Sequence, residues 1–187
     1  MPSTSKIIDA ALRLFVENGF HGTPTSRVAS EAGVSNGSLF NAYKTKDDLI
    51  VAVYIYVKDE LDAHLNQHTW ATQSVRERFQ QFLTESVRWA LANPLAFRFI
   101  QQFQASPYQS KLSAEQVQRQ TQRHLEALAE GVGAGLLRPL PVPLLFLMVS
   151  SQVFALFHFL LLNPATEQEQ NHLLEQAAQA VWESISV

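Results

Sequence analysis

Residues 23–49 read TPTSRVASEAGVSNGSLFNAYKTKDDL, and the fold is decided there. Thr23-Pro24 opens a short helical run that stops before Gly33, and Ser35 caps a second run that ends near Ala42. Ala29 is small enough for two helices to cross closely, and Gly33 supplies the backbone freedom of a sharp turn. Val28, Val34 and Leu39 are the apolar pins between the runs. Two short helices joined in this way form a helix-turn-helix over about residues 24–43, whose second helix enters a DNA major groove. Its outward face carries Ser35, Asn36, Ser38 and Asn41, hydroxyls for phosphate or base edges and amides that pair with adenine. Lys44 and Lys46 follow at the start of the next helix, where the positive end of the helix dipole adds to their pull on phosphate.

Outward from this stretch the helical period dominates, and no period-two strand is bounded by turn residues. Ser74 with Glu77, Ser113 with Gln116 and Thr166 with Glu169 read as capping boxes, and Thr45 with Asp48 as a shorter-armed variant. Asn93-Pro94 reads as an N-cap followed by proline at the first helical position. These marks predict an all-α chain of about nine helices. Helix one runs from near Lys6 to Asn18 with a stripe of Ile8, Leu12, Phe15 and Val16. Helices two to seven follow Thr23-Pro24, Ser35, Thr45, Ser74, Asn93 and Ser113; helix eight covers about 143–162 and helix nine follows Thr166. No flexible linker separates Lys46 from Leu61, so helix four is expected to couple a DNA-binding domain, 1–48, to a body, 49–187.

Composition narrows the function classes. The 187 residues carry a net charge of −3, so DNA binding must come from a local site and not from bulk basicity. Even residues 1–48 are neutral, with Lys6, Arg13, Arg27, Lys44 and Lys46 set against Asp9, Glu17, Glu31, Asp47 and Asp48. There is no cysteine, which removes disulfides and thiolate metal sites and fits a cytoplasmic location. Lys6 leads into an amphipathic stretch and not an apolar signal segment. Residues 139–166 hold no Asp, Glu, Lys or Arg, but Ser150, Ser151, Gln152 and four prolines argue for a buried central helix over a membrane span.

The run GVSNGSLFNAYKTKDDL resembles the signature of the tetracycline-repressor (TetR) family, and GFHGTPTSRVASEAG resembles that family's passage from helix one to helix two. The motif-level resemblance spans about residues 6–55; beyond it lies in helix count, helix length and the GLLRPLPVPLL entry to helix eight. It implies a recognition surface of Ser35, Asn36, Gly37, Ser38, Phe40 and Asn41, flanked by Thr25 and Ser26, with Lys46 clamping phosphate. Phe40 and Ala42 stand where the family often has tyrosine or another aromatic, and Arg27 where an acid is common. Function implied by the resemblance is a repressor released from a palindromic double-stranded operator by a small hydrophobic or aromatic effector. A regulator controlled by a protein partner, or an activator, is the alternative, and a fully packed body would favour the first of these.

For the body, the aromatic-rich helices suggest a pocket of Tyr54, Trp89, Phe103, Phe154 and Phe159, with Lys58 and His158 as polar handles. Helix eight is apolar on more sides than one core requires, and helix nine offers Leu174, Ala178, Val181 and Ile185 as a seam, so two copies are expected to form a four-helix homodimer interface. Glu60, His64 and His68 have metal-ligand spacing but read better as a solvated helix end, so no metal is expected. GVGAG at 131–135 follows a helix and not a strand, and reads as a helix stop. No nucleophile elbow or singled-out carboxylate pair is present, so neither an enzyme nor a cofactor is expected.

Overall fold

The computed structural model describes residues 2–67 and 74–187. They form nine α-helices: α1 (Pro2–Asn18), α2 (Thr25–Glu31), α3 (Asn36–Ala42), α4 (Lys46–Leu65), α5 (Val75–Ala92), α6 (Pro94–Gln104), α7 (Ala114–Gly133), α8 (Val142–Leu162) and α9 (Glu167–Ile185). A 3-10 helix, Pro107–Lys111, was not legible in the sequence. Helix starts fall where short local hydrogen bonds dictate. The Ser74 N–H donates to Glu77 at 2.8 Å, the Ser113 N–H to Gln116 at 2.8 Å and the Thr45 N–H to Asp48 at 3.0 Å. Thr166 and Glu169 close a full capping box. Asn93 precedes α6 as expected, but its side chain makes no capping bond there.

The chain divides into two compact units. The first comprises 1–60 and 93–117, the second 61–92 and 118–187, so the divisions fall within α4, between α5 and α6, and within α7. The unit that holds the helix-turn-helix thus includes α6 and the 3-10 helix, which lie far along the sequence from residues 1–48.

In the first unit α1 packs on both α2 and α6. Covered from two sides, α1 buries a wider arc than the expected stripe: Ile7, Ala11 and Leu14 join Ile8 and Phe15, while Leu12 and Val16 are half-buried. Aromatic contacts carry the join. Phe20 meets Phe15 at 5.5 Å, Phe99 at 5.7 Å edge-on and Tyr108 at 5.2 Å. Full burial of a phenylalanine such as Phe15, Phe99 or Phe103 is worth about 1.5–3 kcal/mol.

In the second unit α5 packs on α8 and α9. Its core gathers Phe79, Leu83, Leu145, Val149, Ala178 and Trp182. Gly131 lies inside α7, not beyond its end, and is buried; a Cβ there would stand 2.7 Å from Leu137 Cδ1. The chain's last residues pair with the segment before α8, the Arg138 N–H donating to the Ile185 carbonyl at 2.9 Å.

α8 departs from the expected buried helix. Leu145, Val149, Val153, Phe157 and Leu160 form one buried stripe, and the other faces stay open, with Leu147 65% and Leu162 77% exposed. By length and composition the helix could cross a membrane, with a mean hydropathy of 2.1.

Candidate nucleic-acid interface and body cavities

The helix-turn-helix is locked from below. Thr23 is fully buried, and its hydroxyl is 3.0 Å from the Leu14 carbonyl and 2.9 Å from that of Gly19. The end of α1 therefore fixes the entry to α2. After α2 the chain reverses at Gly33, whose φ of +66° lies in the left-handed region that favours glycine, and the Val34 N–H returns to the Ala29 carbonyl at 2.9 Å. Ser35 then caps α3: its hydroxyl accepts from the Ser38 N–H at 3.1 Å and contacts the Ser38 hydroxyl at 2.9 Å. Val28, Ala29 and Leu39 are buried between the helices, as their spacing implied, and Val34 is half-buried.

Leu39 alone of the α3 residues turns inward. Asn36, Gly37, Ser38 and Asn41 are exposed, and Phe40 is 43% exposed, a large apolar ring on a polar face. Ser26 and Lys44 are exposed; Thr25 and Lys46 are half-buried. Tyr43, which carries no motif in the sequence, closes α3 and donates its N–H to the Leu39 carbonyl at 2.8 Å. Partial burial raises its phenol pKa, keeping it a neutral hydrogen-bond donor. Arg13 pairs with Glu31, and Lys111 Nζ lies 2.9 Å from Asp47, so two acidic groups of the neutral 1–48 stretch are balanced by named bases.

Among the described residues of the second unit, two cavities stand out. One, of about 230 Å³, is polar and lined by Asp62, Leu65, Asn66, Arg119, Gln120, Arg123 and His124. The other is apolar, with room for only about 30 Å³ among residues that include Phe79, Phe82, Leu128, Phe146, Val149 and Trp182. His124 borders both.

None of the seven expected pocket residues lines either cavity. Tyr54 stacks on Phe103 at 4.0 Å and 13°, and both rings are buried in the first unit. Trp89 is buried, Lys58 and Phe154 are half-buried, and His158 and Phe159 are exposed on α8. The polar cavity takes Asp62 and Leu65 from α4 and Arg119, Gln120, Arg123 and His124 from α7, and only tertiary structure reveals that Gln120 is 5% exposed. The helix-nine residues offered as a seam have partners within this chain. Leu174, Ala178 and Ile185 are each 1% exposed and belong to the core of their own chain, because α9 lays its apolar stripe on α5 and α8. Val181 is half-buried.

Among the described residues no group of three or more His, Asp or Glu is placed to hold a metal. Glu60 accepts from the Tyr56 hydroxyl at 2.8 Å, which with burial holds the phenol up at about 12. His64 meets Glu85 at 3.1 Å, and His68 lies outside the described residues.

Comparison with known proteins agrees with this architecture. Residues 7–53 match the family model for bacterial regulatory proteins of the tetR family, and residues 54–187 match that for the tetracyclin repressor-like C-terminal domain. A protein of known structure from Shewanella sp. PV-4, described as a TetR-family transcription regulator, is 26% identical over 99% of this chain and 98% of its own, with a TM-score of 0.90. A TetR-family transcription regulator from Marinobacter aquaeolei VT8 shares the fold at a TM-score of 0.84, with 24% identity over 99% of this chain and 96% of its own. The fatty acid metabolism regulator protein of Bacillus subtilis is 36% identical over 53 residues, 28% of this chain and 27% of its own length. The chain spans only about a quarter to a half of the first curated relatives it matches. With a helix-turn-helix whose second helix bares its polar face, and with both family models matched end to end, the chain belongs to the TetR family and is a transcriptional regulator with a DNA-binding helix-turn-helix.

Proposed function

We propose that the protein is a cytoplasmic repressor that binds a palindromic operator as a homodimer and leaves it when a small effector occupies its body. The carrying observation is the outward face of α3, where Ser35, Asn36, Ser38, Phe40 and Asn41 serve no core and stand ready for a major groove. Thr25, Ser26, Lys44 and Lys46 flank that face as phosphate contacts, on a DNA-binding domain of residues 1–48.

The open faces of α8 support the dimer. Leu144, Leu147, Met148, Phe159 and Leu162 are all more than a third exposed, an apolar surface that a second copy would cover in place of a membrane. A dimer sets two recognition helices on successive major grooves. The polar cavity of about 230 Å³ supports an effector site over a fully packed body of residues 49–187. Effector binding then favours a spacing of the two DNA-binding lobes that no longer fits the half-sites, with α4 as the continuous element between domain and body.

The test is selection of bound fragments from genomic DNA, followed by an effector screen for release and a reporter fused to the selected promoter. Repression relieved by effector is the expected outcome. Activation of the reporter would reverse the sign of regulation, and release by no compound would sink the effector-controlled reading.

A further inference from the structure

Two neighbouring residues on the outside of α3 differ in kind from the amides and hydroxyls around them. Phe40 leaves an aromatic ring 43% exposed on a polar face. Gly37, three residues earlier and also exposed, is its neighbour on the helix surface. Glycine is a poor helix former, kept where the backbone turns left-handed or where a side chain would collide. Neither reason holds at Gly37. Among the described residues the left-handed glycines are Gly19, Gly33 and Gly135. A Cβ at Gly37 would meet only Ser35 Oγ, at 3.7 Å, an ordinary contact. The packing of this chain therefore does not require the bare backbone at Gly37, and its use lies with whatever approaches α3 from outside.

Leu39 fixes how the helix lies, because its burial marks the inner side of α3. At about 100° per residue, Gly37 stands about 200° from Leu39, nearly opposite, and Phe40 about 100° round, on the flank of the outward face. A duplex that meets this face comes nearest to the backbone at Gly37, with the Phe40 ring beside the point of approach. That ring has no hydrogen-bond donor or acceptor. Base edges in the major groove present donors and acceptors, and their one apolar group is the C5 methyl of thymine. A phenylalanine on a groove-reading face thus selects one base, through that methyl. A side chain at position 37 would hold the base edge away from the ring, and glycine lets the two close.

We infer that Gly37 and Phe40 form a reader of the thymine 5-methyl group. At one A·T pair of each operator half-site the methyl enters the gap over Gly37 and packs against the Phe40 ring. This rests on the reading of α3 as the recognition helix and adds the base that this flank selects. The contact separates thymine from cytosine, and also from uracil, which differs from thymine by the methyl alone. Burying one methyl is worth about fourfold in affinity, and about fifteenfold over two half-sites. No phosphate is neutralised by it, so its share of the affinity is independent of salt, unlike that of Lys44 and Lys46.

The experiment is a uracil scan. The full chain is titrated with its selected operator duplex, each half-site thymine being replaced in turn, symmetrically, by deoxyuridine. For the parent, one symmetric replacement is expected to weaken binding about fifteenfold, and by the same factor at two salt concentrations. Phe40→Ala is expected to abolish that uracil penalty, and Phe40→Leu, still apolar, to keep part of it. Gly37→Ala is expected to resist denaturant at least as well as the parent, yet to bind the operator more weakly and with a smaller uracil penalty. Circular dichroism and melting check that Phe40→Ala folds; should it not, the outcome for Gly37→Ala decides. The proposal is overturned if no replacement weakens the parent, or if Phe40→Ala, or Gly37→Ala in its stead, keeps the full penalty. A flat scan on an operator still bound far more tightly than random DNA removes the methyl reader and leaves α3 as the recognition helix. No preference for the operator over random DNA removes both.

Discussion

Lys111 Nζ lies 2.9 Å from Asp47 Oδ2, joining the 3-10 helix to the first turn of α4. The pair belongs to the unit of the helix-turn-helix, and Asp47 follows Lys46 directly. An acid placed beside Lys46, a proposed phosphate contact, is thereby balanced by a base from more than 60 residues away in sequence.

The hydrogen bond from Lys111 to Asp47, reinforced by their opposite charges, raises the lysine pKa above its ordinary 10.5. A base whose pKa is raised on folding contributes stability that is complete below its unfolded pKa and lost as pH climbs through the folded value. Melting followed above pH 10.5 should therefore fall more steeply for the parent than for Lys111→Met, while at neutral pH the two differ little, as exposed pairs do. In DNA titrations Lys111→Met, by baring Asp47 beside Lys46, should weaken binding, and Asp47→Asn should strengthen it.

Gly33 tests the turn. No atom lies within 4 Å of a Cβ built there, so the cost of Gly33→Ala is the backbone's alone, about 1–2 kcal/mol for a left-handed residue with a side chain. Gly33→Asn should cost less, because asparagine tolerates that region. Chemical denaturation of both variants checks the order.

Gly131 tests packing. Its Cβ would stand 2.7 Å from Leu137 Cδ1 and 3.0 Å from Val75 Cγ1, both residues being buried. Overpacking of about 1–3 kcal/mol is set against a helix-propensity gain of about 1 kcal/mol, so Gly131→Ala should be net destabilising. At exposed Gly133, in the same helix with nothing within 4 Å, the alanine substitution should stabilise.

Thr166 tests a cap and its pH dependence. Thr166→Ala should cost about 1 kcal/mol at neutral pH. Hydrogen bonds from the Thr166 hydroxyl and backbone N–H hold the Glu169 carboxyl below its ordinary 4.5. A depressed acid contributes stability above its unfolded pKa and loses it as pH falls through the folded value. The deficit of Thr166→Ala measured by melting should therefore shrink below pH 4.5.

What the sequence disclosed follows the range of the forces. Ser74–Glu77, Ser113–Gln116, Thr45–Asp48 and Thr166–Glu169 are bonds across three residues, and each was readable as a local pattern. The turn at Gly33 and the cap at Ser35 were equally local. Burial depends on partners distant in sequence. Leu174, Ala178 and Ile185 have the spacing of a seam, but nothing in that spacing says whether the partner is α5 or a second chain. Tyr54 and Phe103 are aromatic enough to suggest pocket walls, and only the structure shows that they stack on each other. Gln120 lies among Arg119, Gln122 and Arg123, and its burial has no signature in composition. Thr23-Pro24 marks a helix entry locally, while the bonds of the buried Thr23 hydroxyl to the Leu14 and Gly19 carbonyls depend on the fold.

The most direct measurement of the central claim is a titration of the purified protein against its selected operator at two salt concentrations, for the parent, Asn41→Ala and Lys44→Ala. The account predicts saturable binding of two protomers per palindromic site, weakened by salt. Lys44→Ala should reduce the salt slope by about 1 across all sequences, while Asn41→Ala loses about 1–3 kcal/mol on the operator and little on random DNA. Operator binding no tighter than random DNA, or untouched by both substitutions on and beside α3, would contradict it.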